Sequence, residues 1–582
     1  MIQALILLTM GLPWLGGLAV WLTTNKHPRA QHTLAVVFAV ATGSAALLLL
    51  PYASATPAIV IPLGGLFGDL TFTPDGLSVF LAIIATVVGS LAVIFSVNYM
   101  HGDKQLGRYY ELVLLFIGAM AGLALTGSLL FLFVFWEVTA FCSFALIAFN
   151  NDDPKAVAGG IKALIITSLG GVGLLSGALI IYAQTGSYQI AAFLERAETL
   201  PKEVLALVAF GFLIAAAAKS AQFPFQTWLP DAMEAPTPVS ALIHAATMVN
   251  AGVYLLARFF PAFEGVAGWT TAVMIVGLLS ALLAGLMALV ATDLKRALAY
   301  STVSQLGYMV YAIGAGGVYA SQFHLLSHAV FKALLFLAAG AVIHGVGTRD
   351  MRQMGGLGSR MPFTRTVFVI GALALAGIPI FNGFWSKELI LEAGLHEGSL
   401  WAYGVAFFCA GLTALYTLRM VYLVFFGKPR SHLHAHDAQP AMKVSLGLLA
   451  LGSVTTWLFA GPLSELLKST LPFHEFHELR TGGMIQEVIT QPATLAALAV
   501  IVAGGLLWWQ RQRLTGLTRM LQGLARMATN SFGFEAINRG VIRVTQSTAE
   551  ALRVTQTGLL SWNVAGIAIG LIVVLILLAW GK

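Results

Sequence analysis

The sequence predicts an all-α polytopic membrane protein with about 16 transmembrane helices. The chain has 582 residues, of which 58% are hydrophobic and only 10% are charged. Soluble domains carry about 25% charged residues, so this composition excludes an ordinary soluble fold. A bilayer span needs about 20 apolar residues, and such runs follow one another almost from end to end. The connectors are too short to hold a separate soluble enzyme domain.

Sixteen apolar runs divide the chain. Their bounds are 1–22, 31–51, 78–99, 110–126, 129–149, 161–183, 204–223, 236–258, 270–291, 297–315, 321–344, 364–393, 400–426, 444–466, 492–510 and 558–580. The first run lacks a cationic start and a small-residue cleavage site, so we expect a retained span rather than a cleaved signal peptide. The segment 511–557 is long, Arg-bearing and intermittently apolar, which predicts a lateral amphipathic helix on the membrane surface. A tether and a brace against neighbouring subunits are both open interpretations of this segment.

The Lys and Arg residues of the connectors predict the orientation. Fourteen of them lie in alternate connectors and only four lie in the opposite set. The fourteen are Lys26, Arg29, Lys104, Arg108, Lys155, Lys162, Lys295, Arg296, Arg349, Arg352, Arg360, Lys428, Arg430 and Lys443. Because positive residues favour the cytoplasmic side, we expect both termini outside, in a cell inner (cytoplasmic) membrane. The net charge of +7 is dispersed along the chain, so we expect no binding of nucleic acid.

Ionisable side chains within the apolar runs are the main functional signal. Each costs at least a few kcal/mol in a bilayer, so such residues usually face protein or water and mark ion pathways. Glu137 lies near the middle of "LLFLFVFWEVTAFCSFALIAF". Lys219 is followed within five residues by Pro224, which interrupts the helix, and His244 lies in the next run. Interrupted spans of this kind are the best sequence indication of a transport site.

Three proton-binding side chains share the run "SQFHLLSHAVFKALLFLAAGAVIHG". His324, His328 and Lys332 are four residues apart, so a helix places them along one stripe. Histidine titrates near neutrality, and burial readily shifts lysine. We therefore expect these groups to exchange protons through intervening water.

A second interrupted span follows in "GIPIFNGFWSKELIL". Gly377, Pro379 and Gly383 come just before Lys387, so Lys387 has a setting similar to that of Lys219. This pairing predicts two inverted five-helix repeats with broken helices. The predicted domains are N-terminal transmembrane helices (1–109), a first half-channel repeat (110–258), a second half-channel repeat (270–426), additional transmembrane helices (444–510), the lateral helix (511–557) and a terminal transmembrane helix (558–582).

A structural explanation of these charges stays open. A buried Lys, Glu or His can serve only to hold helices together, which would make the chain a scaffold subunit. Asp231, Glu234 and Asp293 lie near predicted interfaces, where we expect solvated or topological roles. Cys142 and Cys409 lie in apolar runs and are expected to be small core residues. We predict no cofactor and no metal site, because the sequence has no Cys cluster, no G-x-G-x-x-G unit and no P-loop.

Three long motifs resemble the antiporter-like proton-channel family, which includes the large membrane subunits of respiratory complex I and of Mrp-type Na+/H+ antiporters. They are "KSAQFPFQTWLPDAMEAPTPVSALIHAATMVNAGVYLLAR", "DLKRALAYSTVSQLGYM" and "HLLSHAVFKALLFLAAGAVIHG". The resemblance is dense from about residue 60 to 430. It implies that Glu137 and Lys219 form a coupled pair and that His244 passes protons onward. It also implies that His324, His328 and Lys332 link to Lys387.

The branch of the family depends on shorter motifs. "KALIITSLGGVGLL" has Gly170 and Gly171 where the complex I subunit usually carries an aspartate, and this pair is similar to the Mrp large subunit. The resemblance thus implies a proton-translocating subunit of an Mrp-type Na+(cation)/H+ antiporter, with other hydrophobic subunits, lipids, H+ and Na+ as partners. Mrp large subunits usually continue for another set of spans, so a proton-pumping subunit of complex I (NADH:quinone oxidoreductase) or of a membrane-bound hydrogenase is the alternative.

Overall fold

Helices make up almost all of the computed structural model of this chain, which describes residues 1–396, 399–431, 434–470 and 479–553. The chain divides into two compact units, Met1–Leu521 and Gln522–Lys582. The predicted terminal span 558–580 lies outside the described residues. The all-α membrane fold is confirmed by the helices that follow.

The first unit begins with the helices of the predicted N-terminal region and first repeat. They are α1 (Ile2–Leu22), α2 (Pro28–Leu47), α3 (Gly76–Tyr99), α4 (Leu106–Leu125), α5 (Leu129–Ile147), α6 (Pro154–Thr185), α7 (Ile190–Arg196), α8 (Lys202–Lys219), α9 (Trp228–Asp231), α10 (Thr237–Ala241) and α11 (Met248–Phe263). A short antiparallel hairpin of β1 (Ile59–Gly64) and β2 (Gly68–Phe72) lies in the connector between α2 and α3. The sequence analysis predicted no element there.

The rest of the first unit carries the predicted second repeat and the helices that follow it. They are α12 (Trp269–Val290), α13 (Leu294–Gly314), α14 (Val318–Val346), α15 (Pro362–Ala376), α16 (Asn382–His396), α17 (Leu400–Val421), α18 (Pro440–Thr455), α19 (Ala460–Lys468), α20 (Thr481–Thr490), α21 (Pro492–Trp509) and α22 (Thr515–Met520). Helix α14 packs against α13, α15, α16 and α18. The side chains of His324, His328 and Lys332 are therefore enclosed by protein.

The predicted total of 16 spans is not confirmed. Within the described residues, 11 helices are long and apolar enough to cross a membrane, or 12 if the bent pair α20 and α21 forms one span. The predicted spans 204–223, 297–315 and 364–393 are not among them. Helix α8 carries three charged residues, α13 has many polar side chains, and the third range is divided between α15 and α16.

Local signals in the sequence explain where several helices begin and end. The Asp75 carboxylate accepts a hydrogen bond from the Ser78 amide at 2.9 Å and caps α3. Asp293 caps α13 in the same way through the Arg296 amide at 3.0 Å. Helix α14 ends at Gly347, whose φ of +76° is a left-handed conformation that glycine adopts at low cost.

Both predicted repeats contain a broken fourth helix. In the first, α8 ends at Lys219, Ala221 has a φ of +51°, and the chain is irregular until α9. In the second, α15 ends before Gly377, whose φ is +80°, and α16 starts at Asn382. The predicted interruptions therefore occur at the expected places. The inverted relation between the two repeats stays a prediction.

The segment 511–557 is not a single helix. It comprises α22, α23 (Gln522–Thr529) and α24 (Phe534–Arg553), and residues 554–557 lie outside the described part. A short 3₁₀ turn with left-handed residues, Ser531–Gly533, separates α23 from α24. Exposed apolar side chains recur along one side of α24 at Ile537, Val544 and Leu552. The amphipathic character is thus present, but in shorter pieces.

Candidate functional site

Glu137 reaches from α5 towards α6. Helix α5 is almost entirely apolar, so the Glu137 carboxylate depends on a neighbouring helix for a polar contact. The Ser168 hydroxyl on α6 donates a hydrogen bond to Glu137 Oε2 at 2.7 Å. The other oxygen, Oε1, is buried and has no hydrogen-bond partner among the described residues. Among the described residues, only one of the two carboxylate oxygens therefore accepts a hydrogen bond.

Lys219 is the last residue of α8 and is fully buried. Its ammonium group donates to the Trp136 carbonyl oxygen at 2.6 Å and lies 5.0 Å from the centroid of the Trp136 ring. Trp136 precedes Glu137 on α5, so the two predicted partners approach the same short stretch of that helix. No ion pair within 4.0 Å joins Glu137 to Lys219 in the described structure. Their electrostatic coupling stays a prediction.

His244 occupies a π-helical turn, Leu242–Ala246, between α10 and α11. Such a turn frees backbone carbonyl groups, and two side chains bind them. The Thr247 hydroxyl donates to Leu242 O at 2.7 Å, and the Asn250 amide donates to Ala245 O at 2.8 Å. The His244 ring lies 4.8 Å from the Phe336 ring of α14, and both its nitrogens are buried without a partner among the described residues. The hydrogen-bonding capacity of the ring is therefore unused within the described residues.

The predicted stripe on α14 is present. His324 is held by two polar neighbours: Nδ1 lies 2.9 Å from Ser386 Oγ and Nε2 lies 3.2 Å from Gln305 Oε1. The ring of His328 is 6.4 Å from that of His324, and its two nitrogens have no partner in the described residues. Lys332 donates to the Ser301 hydroxyl, and also to Leu298 O at 3.2 Å. All three side chains are fully buried.

Lys387 resembles Lys219 in its surroundings. Its ammonium group donates to Leu375 O of α15 at 2.9 Å and lies 5.9 Å from the Tyr308 ring centroid. Both lysines thus lie beside a helix break, bind a backbone carbonyl and face an aromatic ring. Ser386, which contacts His324, is the neighbour of Lys387 in sequence. The structure therefore places Lys387 beside the α14 stripe, and a proton link between them stays a prediction.

The sequence analysis missed several polar residues of the site. Ser168, Gln305, Ser386 and Ser301 bind the ionisable groups directly. Hydroxyl and amide side chains inside apolar runs were the available signal. Lys295 was interpreted only as a topology signal, yet its side chain is buried and donates to Ala235 O at 2.6 Å.

Lys295 borders a polar cavity of about 540 Å³ near the ends of α3, α13 and α14. Its lining includes Tyr99, Asp103, Glu234, Lys295, His344 and Arg349. Asp231 and Glu234, for which we expected solvated or topological roles, are partly exposed and form ion pairs nearby. Asp231 pairs with Lys162 at 2.7 Å and Arg296 at 2.6 Å, and Arg349 bridges Glu234 at 3.0 Å and Asp293 at 3.1 Å. These pairs join the loop after the first helix break to the start of the second repeat.

Comparisons with known proteins place this arrangement in context. Residues 126–413 match the family described as NADH:quinone oxidoreductase/Mrp antiporter, and residues 61–110 match the N-terminal part of chain 5 of NADH-ubiquinone oxidoreductase (complex I). The chain is 38% identical over 477 residues to Na(+)/H(+) antiporter subunit A1 of Staphylococcus aureus. That alignment covers 74% of this chain and 58% of the relative, so the chain spans little more than half the length of the curated relatives it matches.

Two solved structures have a similar fold. A chain of the Mrp complex from Dietzia sp. matches with a TM-score of 0.83 and 29% identity, over 100% of this chain and 63% of that chain. A chain of the membrane-bound sulfane sulfur reductase, an archaeal respiratory membrane complex, matches with a TM-score of 0.70 and 27% identity, over 83% of this chain and 99% of that chain.

Proposed function

Because this chain belongs to the proton-antiporter family of membrane subunits that NADH:quinone oxidoreductases and Mrp antiporters share, we propose that it is a proton-translocating subunit of an Mrp-type Na+(cation)/H+ antiporter. The similarity to antiporter subunit A1 supports this assignment. On this proposal, the chain works in the cytoplasmic membrane with other hydrophobic subunits. The protons move through Glu137, Lys219, His244, His324, His328, Lys332 and Lys387.

One observation carries the proposal. The buried ammonium groups of Lys219, Lys332 and Lys387 hydrogen-bond only to neutral oxygen atoms, and none forms an ion pair within 4.0 Å among the described residues. A buried cation without a counterion is costly. A neutral amine still has N–H groups to donate, so a lysine bound to a carbonyl can lose its proton and keep its hydrogen bond. These three sites therefore suit residues that change protonation state during transport.

The order of groups suggests two stages. Glu137 and Lys219 serve the first half-channel, and His244 passes protons onward to α14, where its ring lies 4.8 Å from that of Phe336. His324, His328, Lys332 and Lys387 serve the second. The centroids of the two histidine rings lie 6.4 Å apart, and no hydrogen bond joins the rings among the described residues, so we propose that water bridges the step.

The test is to replace Lys219 and Lys387 by alanine, one at a time, within the assembled complex. We expect each variant to lose Na+-dependent proton movement in inverted membrane vesicles while its abundance stays normal. Lys202→Ala is the matched control, because Lys202 lies on the same helix as Lys219 but is exposed. Normal transport by both variants would refute the proposal. Loss of assembly with normal transport per complex would support the scaffold interpretation.

A redox-driven complex is the second candidate, and one observation favours it. The chain also matches a chain of the membrane-bound sulfane sulfur reductase, an archaeal respiratory membrane complex, with a TM-score of 0.70 and 27% identity. Gentle extraction of the tagged protein and mass spectrometry of co-purifying subunits separates the two. Small hydrophobic partners alone indicate an antiporter, and iron–sulfur, flavin or nickel subunits indicate a redox-driven pump.

A further inference from the structure

Helix α6 has a recess that receives the Glu137 carboxylate. Ser168 and Gly171 are three residues apart and thus lie on one face of α6. Ser168 donates to Oε2, and a Cβ atom built at Gly171 would overlap Oε1 and lie 3.4 Å from Cδ. The carboxylate therefore occupies the space that a side chain at position 171 would fill. We call Ser168 and Gly171 the α6 recess.

The neighbouring glycine has a different role. A Cβ atom at Gly170 would overlap Cβ of Ala218, the residue before Lys219 on α8. Gly170 thus lets α6 approach α8, and Gly171 lets the same turn of α6 accept the carboxylate from α5. One pair of glycines sets the position of α6 against both predicted proton carriers.

The fit at the recess is tight, because a Cβ atom at position 171 would overlap Oε1. Glu137 Oε1 has no hydrogen-bond donor among the described residues, so the Ser168 hydroxyl is the hydrogen-bond donor that holds the carboxylate there. A methyl group at position 171 would force Oε1 to move, and we expect this movement to weaken the Ser168 contact.

We propose that Gly171, together with Ser168, is a positioning residue that holds the Glu137 carboxylate in the geometry required for proton transfer. This inference rests on the proposed function, because it assigns Glu137 a part in transport. It predicts that the effect on transport of a larger side chain at position 171 depends on the length of the side chain at position 137.

The first test is Gly171→Ala in the assembled complex. We expect transport per complex to fall about tenfold or more, because displacements of about 1 Å are enough for losses of this size, and we expect its pH profile to change. Gly404→Ala on α17 is the control, because a Cβ atom there meets nothing within 4 Å. The control is expected to assemble and transport normally.

The decisive test is a double-mutant cycle with Glu137→Asp. Aspartate is one methylene shorter, so its carboxylate leaves room for a methyl group at position 171. We expect Glu137→Asp alone to reduce transport, because it no longer reaches Ser168. The double variant Glu137→Asp/Gly171→Ala should then transport within about twofold of Glu137→Asp alone, since coupled residues give non-additive effects.

Two results separate the possible failures. If Glu137→Gln transports normally, Glu137 has no part in transport and that element of the proposed function is wrong. If Glu137→Gln is inactive but Gly171→Ala transports normally per complex, only the positioning role is refuted. Multiplicative losses in the double variant would likewise refute it, because they would show that Gly171 and Glu137 act independently.

Discussion

Methionine substitutions at Lys219 and Arg258 should have opposite consequences, although both residues are long cations buried in the bundle. Arg258 donates to both oxygens of Asp75, and its Nη2 also contacts Ser78 Oγ at 2.8 Å and Tyr254 Oη at 3.2 Å. Lys219 makes one hydrogen bond, to a backbone carbonyl. The first cation has a full counterion, and the second has no ion-pair partner among the described residues, so we expect structural and functional roles respectively.

The magnitudes follow from what each substitution leaves behind. Arg258→Met leaves the fully buried Asp75 carboxylate without its guanidinium, which costs about 3–5 kcal/mol. Lys219→Met loses one charge-assisted hydrogen bond of about 1.5–3 kcal/mol, but it also removes a desolvation penalty of several kcal/mol. The Trp136 carbonyl keeps the hydrogen bond from the Thr139 hydroxyl at 2.7 Å. We therefore expect Lys219→Met to leave stability unchanged or slightly higher.

The assay is thermal unfolding of the purified complex with a thiol-reactive dye. Cys142 and Cys409 are both buried, so their reaction reports opening of the bundle. Arg258→Met should lower the unfolding temperature and abundance but keep transport per complex, and Lys219→Met should keep stability and lose transport. The double variant Asp75→Asn/Arg258→Met should recover much of the stability, because the buried negative charge is removed together with the guanidinium and asparagine still caps α3. Equal destabilisation by Lys219→Met and Arg258→Met would refute the reasoning.

Two further predictions concern groups around the pathway. The pKa of Asp437 lies below its ordinary value of 3.8. Partial burial raises this pKa, but hydrogen bonds to the carboxylate lower it by more. The donors are the Thr364 hydroxyl and the backbone amides of Ala438, Phe363 and Thr364. Asp437 caps α15 through the Phe363 amide at 2.8 Å, so its stabilising effect is complete near neutral pH and is lost as the pH falls through the lowered pKa. Asp437→Asn should cost about 1 kcal/mol of stability at pH 7 and less at acidic pH, as measured by thermal unfolding across pH; an equal loss at every pH would contradict this account. Ser386→Ala removes the contact with His324 Nδ1 at 2.9 Å. It should slow transport about fivefold, which corresponds to the loss of one hydrogen bond of about 1 kcal/mol. The control Ser359→Ala, on an exposed turn, should transport normally.

The sequence could predict the parts of the site that depend on local pattern. Lys219 ends its helix just before a proline-bearing segment, and Lys387 follows a glycine-bearing break, so both interruptions could be placed from residue type alone. The spacing of His324, His328 and Lys332 predicted their common stripe in the same way. These features depend on helix geometry and backbone donors, which a single segment determines.

Partners from distant segments could not be predicted. Asp75 and Arg258 are 183 residues apart, and Asp75 was not identified as a buried charge at all. Lys295 lies where a Lys that signals topology would lie in the sequence. In the structure, its side chain instead donates a hydrogen bond to the carbonyl oxygen of Ala235, in the segment after the first helix break. The hairpin after α2 and the division of 511–557 also depend on backbone conformations that composition does not specify.

Lysines that pair with a carboxylate and lysines that bind a carbonyl oxygen differ in how easily they lose a proton. Lys162 has the Asp231 carboxylate at 2.7 Å, and an ammonium group held in this way keeps its proton, since losing it would leave the carboxylate unpaired. Lys219 has only a carbonyl oxygen, which binds an amine and an ammonium group alike. Glu137 sits in the α6 recess rather than against Lys219, so it can stabilise the charge on Lys219 through space without fixing the proton there. On the proposed function, a recess that holds the carboxylate off the lysine would allow the two groups to be coupled and still exchange protons.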